Sequence, residues 1–170
     1  LAYDYQYNTL ARENLLIEAA PEHFARHSHW LSAAMAFNIK EYLRMQASVL
    51  MTQITNSQSS TTNSPRVTPG VFLSFRPYPK IDLSLNAFYK QSYRYPTFND
   101  LYYTDLGNAN LRPELARQHS VEIAYSIQKS AFSIQASASY YYNRVTDKII
   151  AYPKGQQFRW TMLNLGTVKI

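Results

Sequence analysis

The sequence predicts an all-β fold, an antiparallel up-and-down meander of about eight strands, and three observations support this prediction. Apolar and polar residues alternate with a period of two in many segments, which places successive side chains on opposite faces of a sheet. Several of these segments are longer than the ~5 or 6 residues of an ordinary globular strand. The links between them are of two sizes, and short links alternate with long ones.

The alternation is clearest from Ile81, where Leu83 and Leu85 fall on one face and Asp82 and Ser84 on the other. Phe88 is the exception in this strand, because an aromatic ring falls on its polar face. In chain order the predicted strands cover residues 1–8, 31–39, 43–52, 71–76, 81–90, 120–128, 132–143 and 158–170. A run of about ten or more alternating residues is long enough for a tilted strand to cross a bilayer. Strand length therefore favours a membrane protein.

The links place turns at one edge of the sheet and loops at the other. Short links are predicted at residues 40–41, 76–80 and 129–130, and long polar links at 9–26, 55–66, 96–115 and 152–157. Outer-membrane barrels show this asymmetry, with short periplasmic turns and longer extracellular loops. Within the first long link, residues 11–20 have helical propensity but are equally compatible with an extension of the hairpin, and both possibilities stay open.

Composition excludes several classes of protein. The chain has no cysteine, which removes disulfide frameworks and thiol catalysis. The net charge of +6 is spread along the chain without a basic run, so nucleic-acid binding is not favoured. No segment approaches the ~18 apolar residues of a membrane-spanning helix, and the start lacks a signal sequence. Fifteen tyrosines suit boundaries between oil and water, such as the aromatic girdles of membrane barrels.

Residues 93–103 and 107–114 together resemble the barrel signature of TonB-dependent receptors. Residues 141–150 and 160–166 look like the next hairpin in that family, and the tyrosine-rich composition is most similar to receptors of Bacteroides-type bacteria. The motif residues that carry the resemblance are Arg94, Pro96, Asn99, Gly107, Asn108, Asn110, Leu111, Pro113 and Glu114.

The resemblance implies an outer-membrane receptor that imports a scarce nutrient, such as a siderophore, a vitamin, haem or a glycan, with energy supplied by TonB. Its barrel would have about 22 strands around a plug domain. Residues 1–170 would form an arc of that barrel, without the signal peptide, the plug or the final strands. The implied partners are outer-membrane lipid, the extracellular cargo, and TonB through the missing plug; no nucleic acid and no cofactor is implied. An isolated arc has two unpaired edges and one apolar face, so we expect it to self-associate.

The long link at 96–115 is the candidate ligand-binding region, because loops at the outward edge contact the cargo in such receptors. Its candidate contact residues are Phe98, Tyr102, Tyr103 and Asp105. For the motif residues around them we expect a structural role, in which proline and asparagine build turns that hold the loop to the wall. No nucleophile or supporting histidine accompanies the carboxylates, so the sequence does not predict an enzyme.

Histidines raise the question of a metal site. His27 and His29 would share one face of a strand, and His23 is nearby. Without a defined third ligand the ordinary polar role is favoured, and no metal site is predicted.

A soluble β-sandwich that binds a ligand is the alternative fold and function. A sandwich would bury Tyr3, Tyr89 and Tyr140 in a dry core, whereas a barrel would expose these side chains to lipid.

Overall fold

Eight strands form a single antiparallel sheet in which each strand pairs with the next one along the chain. The structure is a computed structural model that describes residues 1–13, 22–57, 64–78, 81–130, 132–155 and 159–170. Its elements are β1 (Ala2–Arg12), β2 (Glu22–Ile39), β3 (Leu43–Asn56), β4 (Arg66–Phe75), β5 (Asp82–Arg94), α1 (Phe98–Tyr102), β6 (Glu114–Lys129), β7 (Phe132–Lys154) and β8 (Arg159–Lys169). The predicted all-β meander is confirmed.

The pairing register separates apolar from polar side chains, because residues opposite each other on neighbouring strands share a face of the sheet. One row runs across β2 to β7 through Phe37, Met45, Leu73, Ala87, Val121 and Tyr140. The next row, one residue along each strand and therefore on the other face, is Asn38, Arg44, Ser74, Asn86, Glu122 and Ser139. We call these two surfaces the apolar face and the polar face.

The apolar face is open to its surroundings. Tyr3 is 61% exposed and Tyr140 is 68% exposed, and Tyr89 is partly exposed. A β-sandwich would cover these tyrosines with a second sheet, but the described strands all belong to one sheet. The sandwich alternative is therefore wrong for the described part of the chain.

Most strands are longer than their alternation predicted, and the first hairpin and β7 show this most clearly. The first hairpin continues to the pair Arg12 and Glu22, so the ends of the predicted link at 9–26 are strand. The extended-hairpin alternative is correct for these residues, while 14–21 lie outside the described residues. Likewise, β7 continues to Lys154 through residues predicted as a link. Ladder hydrogen bonds to a neighbouring strand outweigh the weak local preference in both places.

The predicted short links lie at one edge of the sheet and three of the four predicted long links at the other, but the fourth long link, predicted at 152–157, is wrong because only four residues separate β7 from β8. At the turn edge, β2 and β3 are joined by a tight turn in which Lys40 has a φ of 47°. At the loop edge, the link between β5 and β6 contains α1, a helix of five residues that the sequence did not predict. None of the helical segments that the structure describes is long and apolar enough to cross a membrane.

The buried hydrophobic cluster lies between this loop-edge link and the polar face, and it consists of Phe24, Leu101, Tyr102, Leu111 and Ile149. The sheet itself has little core of its own. The link contributes three of the five members of this cluster, Leu101, Tyr102 and Leu111.

Candidate functional site

Residues 95–113, which we call the strap, leave β5, form α1 and fold back across the polar face. The helix begins with a capping box: the Thr97 hydroxyl accepts the backbone N–H of Asp100 at 3.1 Å, and the Asp100 carboxylate accepts the backbone N–H of Thr97 at 2.9 Å. This pair satisfies two donors that a helix start otherwise leaves free. The short helix is thus specified locally, although its sequence has no apolar periodicity.

Gly107 allows the strap to close on itself. A Cβ atom at this position would lie 2.7 Å from the carbonyl oxygen of Leu101 and from the backbone nitrogen of Tyr103. Its own N–H donates to the Tyr103 carbonyl at 2.8 Å, and the next N–H, that of Asn108, donates to the Asp100 carbonyl at 2.9 Å. Only glycine fits this approach of backbone to backbone.

The first anchor of the strap is on β1 and β2. The ring of Tyr102 stacks on Phe24 with 3.9 Å between centroids, and the Arg12 guanidinium donates to the Tyr102 carbonyl at 2.6 Å. Arg26 donates to the Pro96 carbonyl at 2.8 Å and lies over the Phe98 ring, 4.8 Å from its centroid. Stacking, hydrogen bonding and cation–π contact hold this side of the strap.

The second anchor is on β8, at the other side of the sheet. The backbone N–H of Met162 donates to the Leu106 carbonyl at 2.8 Å, and the Asn108 amide donates to the Met162 carbonyl at 3.0 Å. Leu111 is only 2% exposed and packs in the same cluster as Ile149 of β7. The strap therefore connects the first two strands to the last two.

A network of charged groups connects the strap helix to β6 and β7. Arg94 contacts Asp100 at 3.2 Å and Glu114 at 2.9 Å, so one guanidinium joins the helix to the start of β6. Glu114 is 5% exposed, and it also accepts the backbone N–H of Ile149 at 2.7 Å. Lys148 lies 3.6 Å from the same carboxylate. The buried charge is thus both paired and hydrogen-bonded, as burial of a carboxylate requires.

Asn164 on β8 completes the connection at the end of the strap. Its amide donates to the carbonyls of Arg112 at 2.9 Å and Asp147 at 2.8 Å, and its oxygen accepts the Arg112 N–H at 2.8 Å. Asp147 has a φ of 55°, and its carboxylate accepts a hydrogen bond from the Arg112 guanidinium at 2.6 Å. One asparagine side chain therefore ties the strap to two strands.

Two tyrosine hydroxyls of the strap, those of Tyr95 and Tyr102, are buried without a hydrogen-bond partner among the described residues. Burial raises the pKa of Tyr102, and the nearby Arg26 opposes part of that rise. Burial also raises the pKa of Tyr95, against an opposing effect of Arg66. Because both shifts are upward from an already high value, the two phenols are neutral at physiological pH.

The structure divides the four candidate contact residues into two pairs. Tyr103 is 61% exposed and Asp105 is exposed at the tip of the strap, where it has a φ of 66°. Phe98 is partly buried and Tyr102 is buried, and both contact the first anchor. Tyr103 and Asp105 are thus open to a ligand, whereas Phe98 and Tyr102 support the strap from beneath.

Most of the motif residues lie in the strap or in the contacts that hold it to the sheet. Asn99 and Asn110 are exposed; the Asn99 carbonyl accepts the Tyr103 N–H at 3.2 Å, and the Asn110 N–H donates to the Asn108 side chain at 3.0 Å. The buried members are Pro96, Leu111, Pro113 and Glu114.

Sequence reasoning missed the residues that receive the strap, chiefly Phe24, Arg12 and Met162. Phe24 lay in a predicted link, and Met162 lies more than fifty residues from the strap residue it contacts. No local sequence pattern marked any of these three residues as a contact of the strap.

Two histidines of the first hairpin, His27 and His29, are hydrogen-bonded to tyrosine hydroxyls. Tyr3 and His29 are hydrogen-bonded at 2.9 Å, as are Tyr5 and His27, and all four rings lie on the apolar face. In the described ranges no group of three histidine or acidic side chains is arranged to hold a metal ion.

Comparison with known proteins shows that the chain matches one protein family over almost its whole length. The family described as TonB dependent receptor-like, beta-barrel, matches residues 3–170 of this chain. The vitamin B12 transporter BtuB of Vibrio vulnificus is 36% identical over 78 residues, which is 46% of this chain and 12% of that protein. BtuB of Photobacterium profundum is 29% identical over 96 residues, 52% of this chain and 14% of that protein.

A solved structure supports the same fold. The FrpB iron transporter from Neisseria meningitidis superposes with a TM-score of 0.58 at 15% identity, over 87% of this chain and 22% of its own. At this identity the likeness concerns the fold alone. The chain spans 12% and 14% of the length of the curated relatives that it matches.

Proposed function

Because the chain belongs to the TonB-dependent receptor-like β-barrel family, we propose that it forms an arc of the barrel wall of an outer-membrane receptor that imports a scarce nutrient. The barrel would have about 22 strands around a plug domain. The cargo would be a siderophore, a vitamin, haem or a glycan, and TonB would supply the energy through the plug. The family is one of receptors and transporters, and we assign no catalytic role.

The observation that carries the proposal is the separation of the two faces. The apolar row at Leu73, Ala87 and Val121 and the polar row at Ser74, Asn86 and Glu122 run side by side across neighbouring strands. A soluble sheet covers its apolar face, whereas a membrane barrel exposes it to lipid and faces the lumen with its polar side. We therefore assign the apolar face to the lipid and the polar face to the lumen.

The strap is the proposed cargo-contacting loop at the extracellular edge. Among its candidates, Phe98 and Tyr102 would hold the loop in place, and Tyr103 and Asp105 would contact the cargo directly. Tyr103 presents an exposed ring and Asp105 an exposed carboxylate at the tip. The tyrosine-rich motif composition remains the basis for placing the source among Bacteroides-type bacteria.

Uptake by cells that carry the complete gene product tests this proposal. Cells are given labelled cobalamin, a ferric siderophore, haem and an oligosaccharide in turn, and accumulation should require TonB. Tyr103→Ala and Asp105→Asn should each reduce the uptake of the accepted cargo by roughly tenfold, the effect of about 1.4 kcal/mol of lost contact. Asparagine tolerates the positive φ of Asp105, so this variant removes charge without strain.

Tyr78 supplies the matched control, because it is 62% exposed at the turn edge, against 61% for Tyr103. Tyr78→Ala should leave uptake unchanged. TonB-independent uptake of every cargo, or absence of the protein from the outer-membrane fraction, would refute the transport proposal. Equal uptake by wild type and Tyr103→Ala would refute the contact assignment.

The isolated chain should self-associate, because β1 and β8 lie at the two edges of the sheet and the apolar face is uncovered. Sedimentation in detergent-free buffer measures this. A strictly monomeric species would contradict it.

A further inference from the structure

A row of basic residues crosses the apolar face on β6, β7 and β8. Arg117 lies opposite Arg144, which in turn lies opposite Lys169. Arg117 also lies opposite Gln91 of β5, so the row is continuous and polar over four strands. Arg144 and Lys169 are exposed, and Arg117 is partly exposed.

No carboxylate neutralises this row among the residues that the structure describes. The acidic residues that the register places in the sheet all fall on the polar face, at Asp4, Glu22, Asp82, Glu114 and Glu122. None of the ion pairs between described residues includes Arg117, Arg144 or Lys169. Cations directly opposite each other on adjacent strands repel, so the row destabilises the sheet unless an anion lies against it.

The position of the row indicates where that anion would come from. The neighbouring row toward the turn edge is aromatic: His119 lies between Tyr89 and Tyr142, with ring centroids 4.8 Å and 6.2 Å apart. Beyond it the same face of β6 continues with Val121 and Ile123. The order from aliphatic to aromatic to basic is that of a membrane boundary, where amphipathic rings lie at the level of the head groups.

The spacing agrees with the thickness of a bilayer. Lys129, at the turn edge of β6, lies on the same face as Arg117, twelve residues further along the strand. That separation is about 41 Å along the strand, or about 31 Å along the bilayer normal at a strand tilt of ~40°. The hydrocarbon core is about 30 Å thick, so the two charged positions lie at its two boundaries.

We infer that Arg117, Arg144 and Lys169 form a binding site for the phosphate groups of anionic lipid at the loop-edge boundary of the membrane. This inference rests on the proposed function, because the apolar face must meet lipid. Arginine binds phosphate oxygens in a bidentate manner, and two opposed arginines can hold one phosphate between them. The bound phosphate replaces repulsion within the row by attraction.

The test is carried out on the complete gene product, purified in detergent and mixed with phosphatidylglycerol or phosphatidylcholine. Native mass spectrometry counts the bound lipids. Wild type should retain phosphatidylglycerol in preference to phosphatidylcholine. The double variant Arg117→Gln/Arg144→Gln should bind phosphatidylglycerol about thirty-fold more weakly, at about a five-fold loss for each cation near a membrane surface.

Lys90 provides the matched control. It precedes Gln91 on β5 and lies on the polar face, so Lys90→Gln makes the same change of charge beside the row but on the other side of the sheet. This variant should retain phosphatidylglycerol as wild type does. Lys169→Gln should bind phosphatidylglycerol about five-fold more weakly than wild type. This single variant provides a measurement even if the double variant does not fold.

The outcomes separate this inference from the proposed function. A wild-type protein that does not enter lipid bilayers would overturn both. A protein that inserts, but whose double variant retains as much phosphatidylglycerol as Lys90→Gln, would overturn only the lipid site. Displacement of the lipid by an equal concentration of inorganic phosphate would also overturn it, because the row would then be a site for free anions.

Discussion

Replacement of Glu114 by alanine is the sharpest perturbation of the strap. The Glu114 carboxylate accepts the Arg94 guanidinium at 2.9 Å and the backbone N–H of Ile149 at 2.7 Å. Arg94 in turn holds Asp100 of the strap helix. Glu114→Ala removes both hydrogen bonds at once, so a buried N–H loses its partner and the connection between β6 and α1 is broken.

The size of the effect follows from the burial of each partner. Leaving the buried Ile149 N–H unsatisfied costs about 1–3 kcal/mol. The Arg94 side chain is 48% exposed, so its ion pair is screened by solvent and contributes only about 0.2–1 kcal/mol. Together the two effects amount to about 1–4 kcal/mol, and the middle of this range, about 2–3 kcal/mol, corresponds to roughly 30- to 150-fold easier local opening.

Hydrogen–deuterium exchange of the complete gene product in lipid measures this opening directly. The amides of Leu101, Gly107 and Asn108 donate hydrogen bonds within the strap, so their exchange should accelerate by that factor. Glu122→Ala is the matched control, because Glu122 lies on the same face of β6 but is only partly buried and contacts Asn86 at 3.3 Å. Unchanged strap exchange in Glu114→Ala would refute the assignment of Glu114 as its anchor.

Three further substitutions test the strap and its neighbours. Gly107→Ala places a Cβ at 2.7 Å from backbone atoms and should destabilise the strap by about 1–3 kcal/mol. A Cβ atom at position 166 would have no heavy atom within 4 Å, so Gly166→Ala should leave the hydrogen-exchange rates of the strap amides unchanged. Equal exchange rates in the two variants would contradict the packing argument. Phe24→Ala removes the stacked partner of Tyr102 and should lower the free energy of unfolding by about 3 kcal/mol, measured with guanidinium. Phe72→Ala, on the same face but 37% exposed, should cost clearly less, and the reverse order would be inconsistent with the buried cluster. Asp147→Val should lower the unfolding midpoint because a β-branched residue disfavours a φ of 55°, whereas Asp147→Asn should lose only the Arg112 pair; an unaffected valine variant would argue against strain at this position.

The fold was predictable because period-two alternation acts within single strands. Leu83, Leu85 and Ala87 needed no partner to indicate a two-faced strand, and the register confirms that they share the apolar face. Phe88 departed from the pattern, and it lies opposite Phe72 on the polar face. The ends of β1 and β7 were less predictable, since ladder pairing extends strands through residues with weak local preference.

The strap was predictable only in part. The motif residues include Glu114 and Gly107, which make contacts in the strap or at its ends, and the turn and capping chemistry of the strap is local in the sequence. Its anchors were not visible, since Phe24 and Met162 approach it only when the sheet has formed. The basic row at Arg117 and Arg144 was equally hidden, because opposed positions on two strands depend on the register.

Cysteine accessibility along β6 tests the central claim most directly. Residues 1–170 contain no cysteine, so once any cysteine elsewhere in the complete gene product is replaced by serine, single cysteine replacements at Ser120, Val121, Glu122, Ile123 and Ala124 report one position each. In intact membranes, Val121→Cys and Ile123→Cys should react with a lipid-soluble reagent, and the other three with a water-soluble one. Reactivity without this alternation, or with the two reagents exchanged, would show that the apolar face does not meet lipid.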